Sequence, residues 1–124
     1  MDGFLLTVTV SSASLRRGQD IEVKAVFKNH SGKWHNIDRG FFMTTPIVIG
    51  SKHYEGNVPL ISILDILEID EVITDTWRIG SLLPKGKHHL VVRANFDLYE
   101  IEDEKIVAAQ AVLIESNSIL LTVK

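Results

Sequence analysis

The chain has 124 residues, 13 basic and 16 acidic side chains, a formal net charge of −3, 45% hydrophobic residues and no cysteine. This length suits one domain over residues 1–124, and no run reaches the roughly 18 apolar residues of a membrane-spanning helix, so we expect no membrane insertion. The charge balance argues against nucleic-acid binding, and the lack of cysteine excludes disulfides, thiol catalysis and cysteine-bound zinc.

The first third of the chain predicts strands separated by polar turns. "LLTVTV" (5–10) alternates apolar residues with Thr, and "SSASLRRGQD" (11–20) predicts a turn. "IEVKAVFKN" (21–29) places Ile, Val, Ala and Phe on one face and mostly charged residues on the other. This period of two is typical of a half-buried strand.

The next segment predicts a long loop and then a weaker strand. We expect a loop over "NHSGKWHNIDRG" (29–40), a strand in "FFMTTPIVIG" (41–50) and a second loop in "SKHYEGNVP" (51–59). Pro46 lacks a backbone N–H, so it moves its strand to a sheet edge or introduces a bend.

The stretch "LISILDILEIDEVITDTW" (60–77) is ambiguous. As a helix it would carry a polar stripe every three residues, but its many Ile and Val residues disfavour a helix. Two strands that meet at Asp70 fit better, since Asp suits a turn. Asp65 and Glu68 would then point to opposite faces, which weakens the idea of an acidic metal site.

The last third predicts further strands. "SLLPKGK" (81–87) is a turn, "HHLVVRANFDLY" (88–99) and "KIVAAQAVLI" (105–114) are strands joined through "EIEDE" (100–104), and "NSILLTVK" closes the chain. Short strands at intervals of about ten residues are typical of a sandwich. We therefore predict an all-β sandwich of seven or eight mostly antiparallel strands.

Three stretches carry a family resemblance. "VSSASLRRGQDIEVKAVFKNHSG", "IGSLLPKGKHHLVVRANF" and "ESNSILLTVK" resemble the first hairpin, the Leu-x-Pro-x-Gly turn and the last strand of bacterial immunoglobulin-like domains. The resemblance implies that the expected all-β sandwich of seven or eight mostly antiparallel strands is immunoglobulin-like. The layout is also similar to the intracellular proteinase inhibitor family, in which a Trp precedes a Pro-Gly turn and a strand that ends in Phe. Residues 34–60 depart from that family's pattern, so no inhibitory residue is transferred.

Sites for metals and cofactors find little support. His88 and His89 are adjacent on a predicted strand and point to opposite sides, so they do not chelate one metal. His30, His35 and His53 would have to converge from separate loops. No nucleophile elbow or phosphate-binding glycine motif is present, and "YEIEDE" (99–104) lacks the glycine of a calcium loop. We expect no metal, no cofactor and no catalytic residue.

The loop over residues 29–40 is the best candidate for contact with a partner. It holds Trp34, His35, Lys33 and Arg39 directly after the best-defined strand, and aromatic and Arg side chains often dominate interface energies. The alternative is that Trp34 folds back and caps the sandwich. Asn29 also begins an Asn-His-Ser glycosylation triplet, which arises often by chance.

The function that follows from these features is a non-enzymatic binding or structural module whose partner is another protein. A stand-alone inhibitor of proteases that acts through exposed loops is the alternative. Residues 1–10 lack the basic region of a signal peptide, so the chain is expected to be either a cytoplasmic bacterial protein or a piece of a larger, extracellular surface protein. The localisation and the partner stay open.

Overall fold

A computed structural model describes residues 3–39, 44–49 and 63–124, which form strands, turns and loops without a helix. The strands are β1 (Phe4–Val10), β2 (Ser14–Leu15), β3 (Ile21–Asn29), β4 (His35–Arg39), β5 (Thr44–Ile49), β6 (Ile63–Leu67), β7 (Val72–Ile79), β8 (Gly86–Glu102), β9 (Lys105–Glu115) and β10 (Ile119–Val123). This part of the chain has no helix long and apolar enough to cross a membrane.

The smaller sheet has three antiparallel strands in the order β1-β3-β7. Leu6 lies opposite Phe27, and Phe27 lies opposite Ile73, so apolar residues of the three strands share the inner face. The predicted alternation of β3 is confirmed, because its odd-numbered residues are all buried. One face of this sheet is therefore available for packing against a second sheet.

The larger sheet has seven strands and is organised by β8, which is 17 residues long. Along one edge of β8 lie β10 and then β9, and along the other lie β5 and then β4, which also pairs with β6. All these pairs are antiparallel, whereas β2 joins β10 in parallel. β8 therefore carries a different pair of neighbours at each of its two ends.

The hydrophobic core lies between the two sheets. Near the amino end of β1 the core contains a cluster of three phenylalanine rings. In this cluster Phe4 stacks on Phe27, with ring centroids 5.7 Å apart. Phe96 from the larger sheet meets both rings edge-on at 5.5 Å. Burial of each such side chain stabilises the fold by about 1.5–3 kcal/mol, so this cluster ties the two sheets together.

Past this cluster, β8 and β9 extend beyond the smaller sheet as a hairpin. Residues 100–111, here called the projecting hairpin, are all exposed. Its turn contains Asp103 and Glu104, both with positive φ, and its ladder shifts register between Glu100 and Ile101, which leaves Val107 as the bulged residue. The hairpin therefore has solvent on both faces.

The ambiguous stretch resolves into strands. Residues 63–67 and 72–79 are strands, and Asp70 has a φ of 59° in the turn between them. The two strands do not pair with each other, because β6 joins β4 in the larger sheet and β7 joins β3 in the smaller one. The connection therefore crosses from one sheet to the other, and residues 60–62 lie outside the described residues.

Several predicted boundaries were wrong. Residues 35–39 of the predicted loop form β4, whose single inward apolar residue, Ile37, gives too short a pattern to be recognised. The two-residue β2 lies inside the predicted turn 11–20. β8 continues to Glu102, so the hairpin turn is shorter than residues 100–104. The count is ten strands in the described residues, rather than seven or eight.

Candidate functional site

The turn between β3 and β4, residues 30–34, is held by the buried side-chain amide of Asn29. Asn29 Nδ2 donates to the carbonyl oxygens of Lys33 at 2.7 Å and Glu68 at 2.9 Å. Asn29 Oδ1 accepts from the backbone N–H of Ser31 at 3.1 Å and from Ser31 Oγ at 2.7 Å. These four hydrogen bonds fix the loop and tie it to the turn that joins β6 to β7.

Trp34 stands at the end of this loop with 56% of its surface exposed. The left-handed conformation of Gly32, with φ of 79°, lets the chain turn just before it. His35, the next residue, points the other way and packs its ring 5.5 Å from that of Phe4. The loop thus presents an indole to solvent from a backbone that is anchored in the core.

Ser31 and His35 form a hydrogen-bonded pair, with Oγ and Nε2 2.9 Å apart. A hydroxyl has one hydrogen, and Asn29 Oδ1, which lies 2.7 Å from Ser31 Oγ, only accepts. Ser31 therefore donates to Asn29, and His35 Nε2 donates to Ser31. In this arrangement the imidazole is not a base toward the hydroxyl, so the pair has a structural role and lacks the geometry of an activated nucleophile.

The charge state of His35 follows from its surroundings. Burial, and to a smaller extent the positive charge of Lys33, lower the pKa of His35 below its ordinary value of 6.5. The neutral ring that results keeps one N–H, which is the donor that Ser31 requires.

A cavity of about 480 Å³ opens beneath the loop, on the inner side of the projecting hairpin. Ser31, Lys33 and His35 line it from the loop, and Phe4 closes its floor. The opposite wall comes from β8 and β9, through residues 98–100 and 108–110. Because the smaller sheet ends at this point, the space between loop and hairpin stays open to solvent.

A second depression, of about 350 Å³, lies beside Trp34. It is lined by Trp34, His35 and Asn36, and by residues 99–102 of β8. Tyr99 donates to Asp38 Oδ2 at 2.9 Å, and this hydrogen bond is the main cause that raises the pKa of Tyr99. The Tyr99 ring is thereby fixed beside the indole.

The outer face of β6 continues this surface with apolar side chains. Leu64, Ile66, Ile101 and Ile106 are exposed and surround a shallow hollow of about 240 Å³ together with Tyr99. Exposed apolar residues that adjoin one another are typical of interaction sites, whereas isolated ones are ordinary. The indole, the Tyr99 ring and these aliphatic side chains are therefore candidates for one contact surface.

Of the predicted contact residues, three lie together at this end of the sandwich. Trp34 is exposed beside the second depression, and Lys33 and His35 line the cavity beneath the loop. Arg39 is the last residue of β4, five positions further along the chain from Trp34. The indole of Trp34 does not fold back into the core as the alternative required.

The other polar candidates are dispersed. His88 is buried and contacts the carbonyl oxygen of Pro84 through Nε2 at 2.8 Å, whereas His89 points outward, as predicted. His53 lies outside the described residues. Within residues 3–39, 44–49 and 63–124, no three His, Asp or Glu side chains form a group that could hold a metal ion. Asn29 is buried with both Nδ2 hydrogens donated, so its amide is not available for glycosylation.

Sequence reasoning missed the residues that face the loop. Tyr99, Glu100 and residues 108–110 lie about seventy positions after Trp34 and reach it through the pairing of β4 with β8. Nothing local in the sequence indicates that pairing. The run "AAQA" in an otherwise apolar strand was the available signal, since small residues leave room for a cavity.

Comparisons with known proteins give similarity in fold alone. No protein-family model and no curated protein sequence matches the chain. The solved structure of the sporulation control protein Spo0M from Bacillus subtilis is similar, with a TM-score of 0.46, 14% identity, and coverage of 100% of this chain and 50% of that chain. A β-glucosidase from Listeria innocua in complex with glucose has a TM-score of 0.39 and 16% identity over 91% of this chain and 16% of that chain. The chain thus spans half the length of Spo0M, and no activity is carried over from either structure.

Proposed function

We propose that this chain is a non-enzymatic, immunoglobulin-like module that binds another protein through the loop between β3 and β4. The observation that carries the proposal is the 56% exposure of Trp34 on a loop fixed by four hydrogen bonds to Asn29. Two antiparallel sheets around one core support the immunoglobulin-like assignment, while the long β8 and the parallel pairing of β2 with β10 depart from a simple version of it.

The energetics favour a contact role for this indole. Binding is opposed by the entropy lost when loops and side chains become ordered, and a loop already held by hydrogen bonds has less to lose. A Trp has only two side-chain torsions and a large apolar area, which is why Trp is enriched among residues that dominate interfaces. The fixed loop therefore offers the indole to a partner at low entropic cost.

The surroundings of Trp34 fit a protein surface as partner. Tyr99, Leu64, Ile66 and Ile101 supply an apolar centre on the same side of the larger sheet. Charged residues stand at its margin, with Glu100 and Glu102 beside the second depression. An apolar centre with a polar rim is the usual arrangement of a protein interface.

A displayed library of random twelve-residue peptides, selected on the intact chain, supplies the binders for a test. Trp34→Ala should weaken the binding of the selected peptides by about 2 kcal/mol or more, which is roughly thirtyfold in Kd, and should change the free energy of unfolding of the chain by less than about 0.5 kcal/mol. Leu82→Ala is the matched control, because Leu82 is also a largely exposed apolar residue but lies in the turn before β8, at the other end of that strand.

Two results would overturn the proposal. One is a loss of about 3 kcal/mol of stability in Trp34→Ala, which would assign the indole a structural role. The other is a set of peptides that bind Trp34→Ala and the intact chain equally well.

Inhibition of proteases is a narrower version of the same proposal, since an inhibitor would present a fixed loop to an enzyme. A panel of serine, cysteine, aspartic and metalloproteases, assayed with the chain and with Trp34→Ala, separates the two. Inhibition that is lost in the variant would make the partner a protease, and no inhibition would leave the general binding module.

A further inference from the structure

The outer edge of β9 is open. β9 pairs with β8 along one edge, and no strand among the described residues pairs with the other. The backbone N–H of Ser116 donates to Val92 O at 2.8 Å, which sets the alternation of the ladder. The even-numbered residues of β9 thus bond to β8, and the N–H and C=O groups of Ala109, Ala111 and Leu113 point to the open edge.

This edge lacks most of the features that keep strands of different molecules apart. Residues 106–114, "IVAAQAVLI", contain no charged residue and no proline. Val107 and Leu113 are 53% and 66% exposed. Natural edge strands usually carry a Lys, a Pro or a bulge in their middle, and here the bulge at Val107 leaves Ala108–Glu115 regular. A regular, apolar and unpaired strand is a template for another strand.

The sequence of β9 is close to self-complementary when read in both directions from Gln110. Ala109 then meets Ala111, Ala108 meets Val112, and the basic start of the strand, Lys105, comes close to its acidic end, Glu115. Like-charged ends would repel in any parallel arrangement, whereas an antiparallel one brings opposite charges together at both ends. We propose that the open edge of β9 pairs antiparallel with β9 of a second copy of this chain, about a twofold axis at Gln110.

The position of the axis follows from geometry and charge. Residues opposite each other in an antiparallel pair point to the same face of the sheet. A twofold axis perpendicular to the sheet must therefore lie between the two copies of one residue, which then face each other. Among the residues in the middle of β9, Gln110 is the one that sets small side chains against each other on both sides of the axis, Ala109 against Ala111, and brings Lys105 to within one position of Glu115. The bulge at Val107 puts Lys105 opposite Ile114 of the second copy and on the other face from Glu115, so the two charges attract across the end of the ladder without forming a direct ion pair.

Such a pair would join the two larger sheets into one continuous sheet and bring the two candidate sites together. Ala108 and Gln110 line the cavity beneath the loop, so the second copy's strand would form the next wall of that cavity. Trp34 lies outside β9, so Trp34→Ala should leave the pair intact, and this inference stands or falls independently of the function proposed above.

Sedimentation equilibrium of the intact chain at micromolar to millimolar concentration tests the association. Ala111→Pro removes an outward N–H and keeps the bonds to β8, so it should weaken the dimer by about thirtyfold or more while the monomer stays folded. Ala111→Ser keeps the N–H and is the matched control, expected to dimerise like the original chain. A chain that stays monomeric at millimolar concentration, or a dimer unaffected by Ala111→Pro, would overturn the proposal.

The register is tested by cross-linking, because the chain has no cysteine of its own. In a pair centred on Gln110, the two copies of that residue have Cα atoms about 4.5 Å apart, within the range of a disulfide. Gln110→Cys should therefore give a covalent dimer under mild oxidation. Leu113→Cys should not, since its two copies lie about 20 Å apart in this register. Cross-linking through position 113 and not through 110 would show the register to be wrong.

Discussion

Replacement of Asn29 tests whether one buried amide holds the candidate site together. Asn29→Ala removes four hydrogen bonds, two donated by Nδ2 and two accepted by Oδ1. Each contributes about 0.5–1.5 kcal/mol net, but Lys33 and Glu68 are exposed and their carbonyl oxygens regain water in the variant. We therefore expect a loss of about 2–4 kcal/mol in the free energy of unfolding.

Asn29→Asp should cost more than Asn29→Ala at neutral pH. The carboxylate would turn an oxygen toward the carbonyl oxygens that Nδ2 now contacts at 2.7 and 2.9 Å, without a hydrogen to donate. This environment raises the pKa of the new carboxyl above its unfolded value, because burial and nearby carbonyl oxygens disfavour the charged form. The folded state then binds the proton more tightly, so the Asp variant should gain stability as the pH falls and lose it as the pH rises.

Urea unfolding followed by circular dichroism gives these free energies, and an unchanged m-value shows that the variants unfold to the same extent. Asn95→Ala is the matched control, since Asn95 is exposed on β8 and should change stability by less than about 0.5 kcal/mol. The indole N–H signal of Trp34 in NMR spectra should broaden or shift in Asn29→Ala. A cost below about 0.5 kcal/mol, or equal costs for the Ala and Asp variants, would refute the role given to the amide.

Two further perturbations address the core and the response to pH. Phe27→Ala should lower the free energy of unfolding by about 3–5 kcal/mol, toward the upper end because the fully buried ring contacts those of Phe4 and Phe96. Chemical denaturation measures this loss, and a value below about 1 kcal/mol would contradict the assignment of strand faces. Since burial and Lys33 lower the folded pKa of His35 below 6.5, the unfolded chain takes up the proton more readily, and stability should fall as the pH drops through and below 6.5. His35→Gln should remove that part of the pH dependence, which thermal unfolding at a series of pH values measures. If the slope of stability against pH is the same in the variant, another group is responsible for it.

The sequence indicated those elements whose residues alternate clearly. β3 shows burial at every second residue, as its pattern predicted, and Phe27 and Val91 are buried. Trp77 is half-buried and packs against the core from the smaller sheet. Residues 60–69 and 72–79 were predicted as two strands because their β-branched residues outweigh the helical stripe, and the described part, with strands over Ile63–Leu67 and Val72–Ile79, confirms it.

The pairing of the strands could not be predicted from local sequence patterns. β6 and β7 are neighbours in sequence with a turn between them, which suggests a hairpin, yet they join different sheets. β9 resembles a buried strand because it is apolar on both faces, but the core covers only its end around Val112, and residues 105–111 are all exposed. The exposure of Trp34, in contrast, was among the predicted alternatives, since polar neighbours surround it in the sequence. The loop that carries Trp34 could be predicted from its place after β3 in the sequence. The residues of β8 opposite this loop become apparent only from the pairing of β4 with β8.

The placement of β8 has a consequence for the order in which the protein folds during synthesis. The three strands of the smaller sheet are complete once Ile79 has been made, whereas the larger sheet needs β8 before β4 and β5 have a neighbour on that side, and needs Val123 before β10 can pair with β2. Pairings between residues so distant in sequence form slowly. A growing chain therefore exposes the apolar inner face of the finished small sheet while the remaining 45 residues are made, which takes roughly two to nine seconds at rates of 5–20 residues per second. During that interval the nascent chain is a substrate for chaperones that bind exposed apolar strands, and slower translation after β7 would lengthen its exposure.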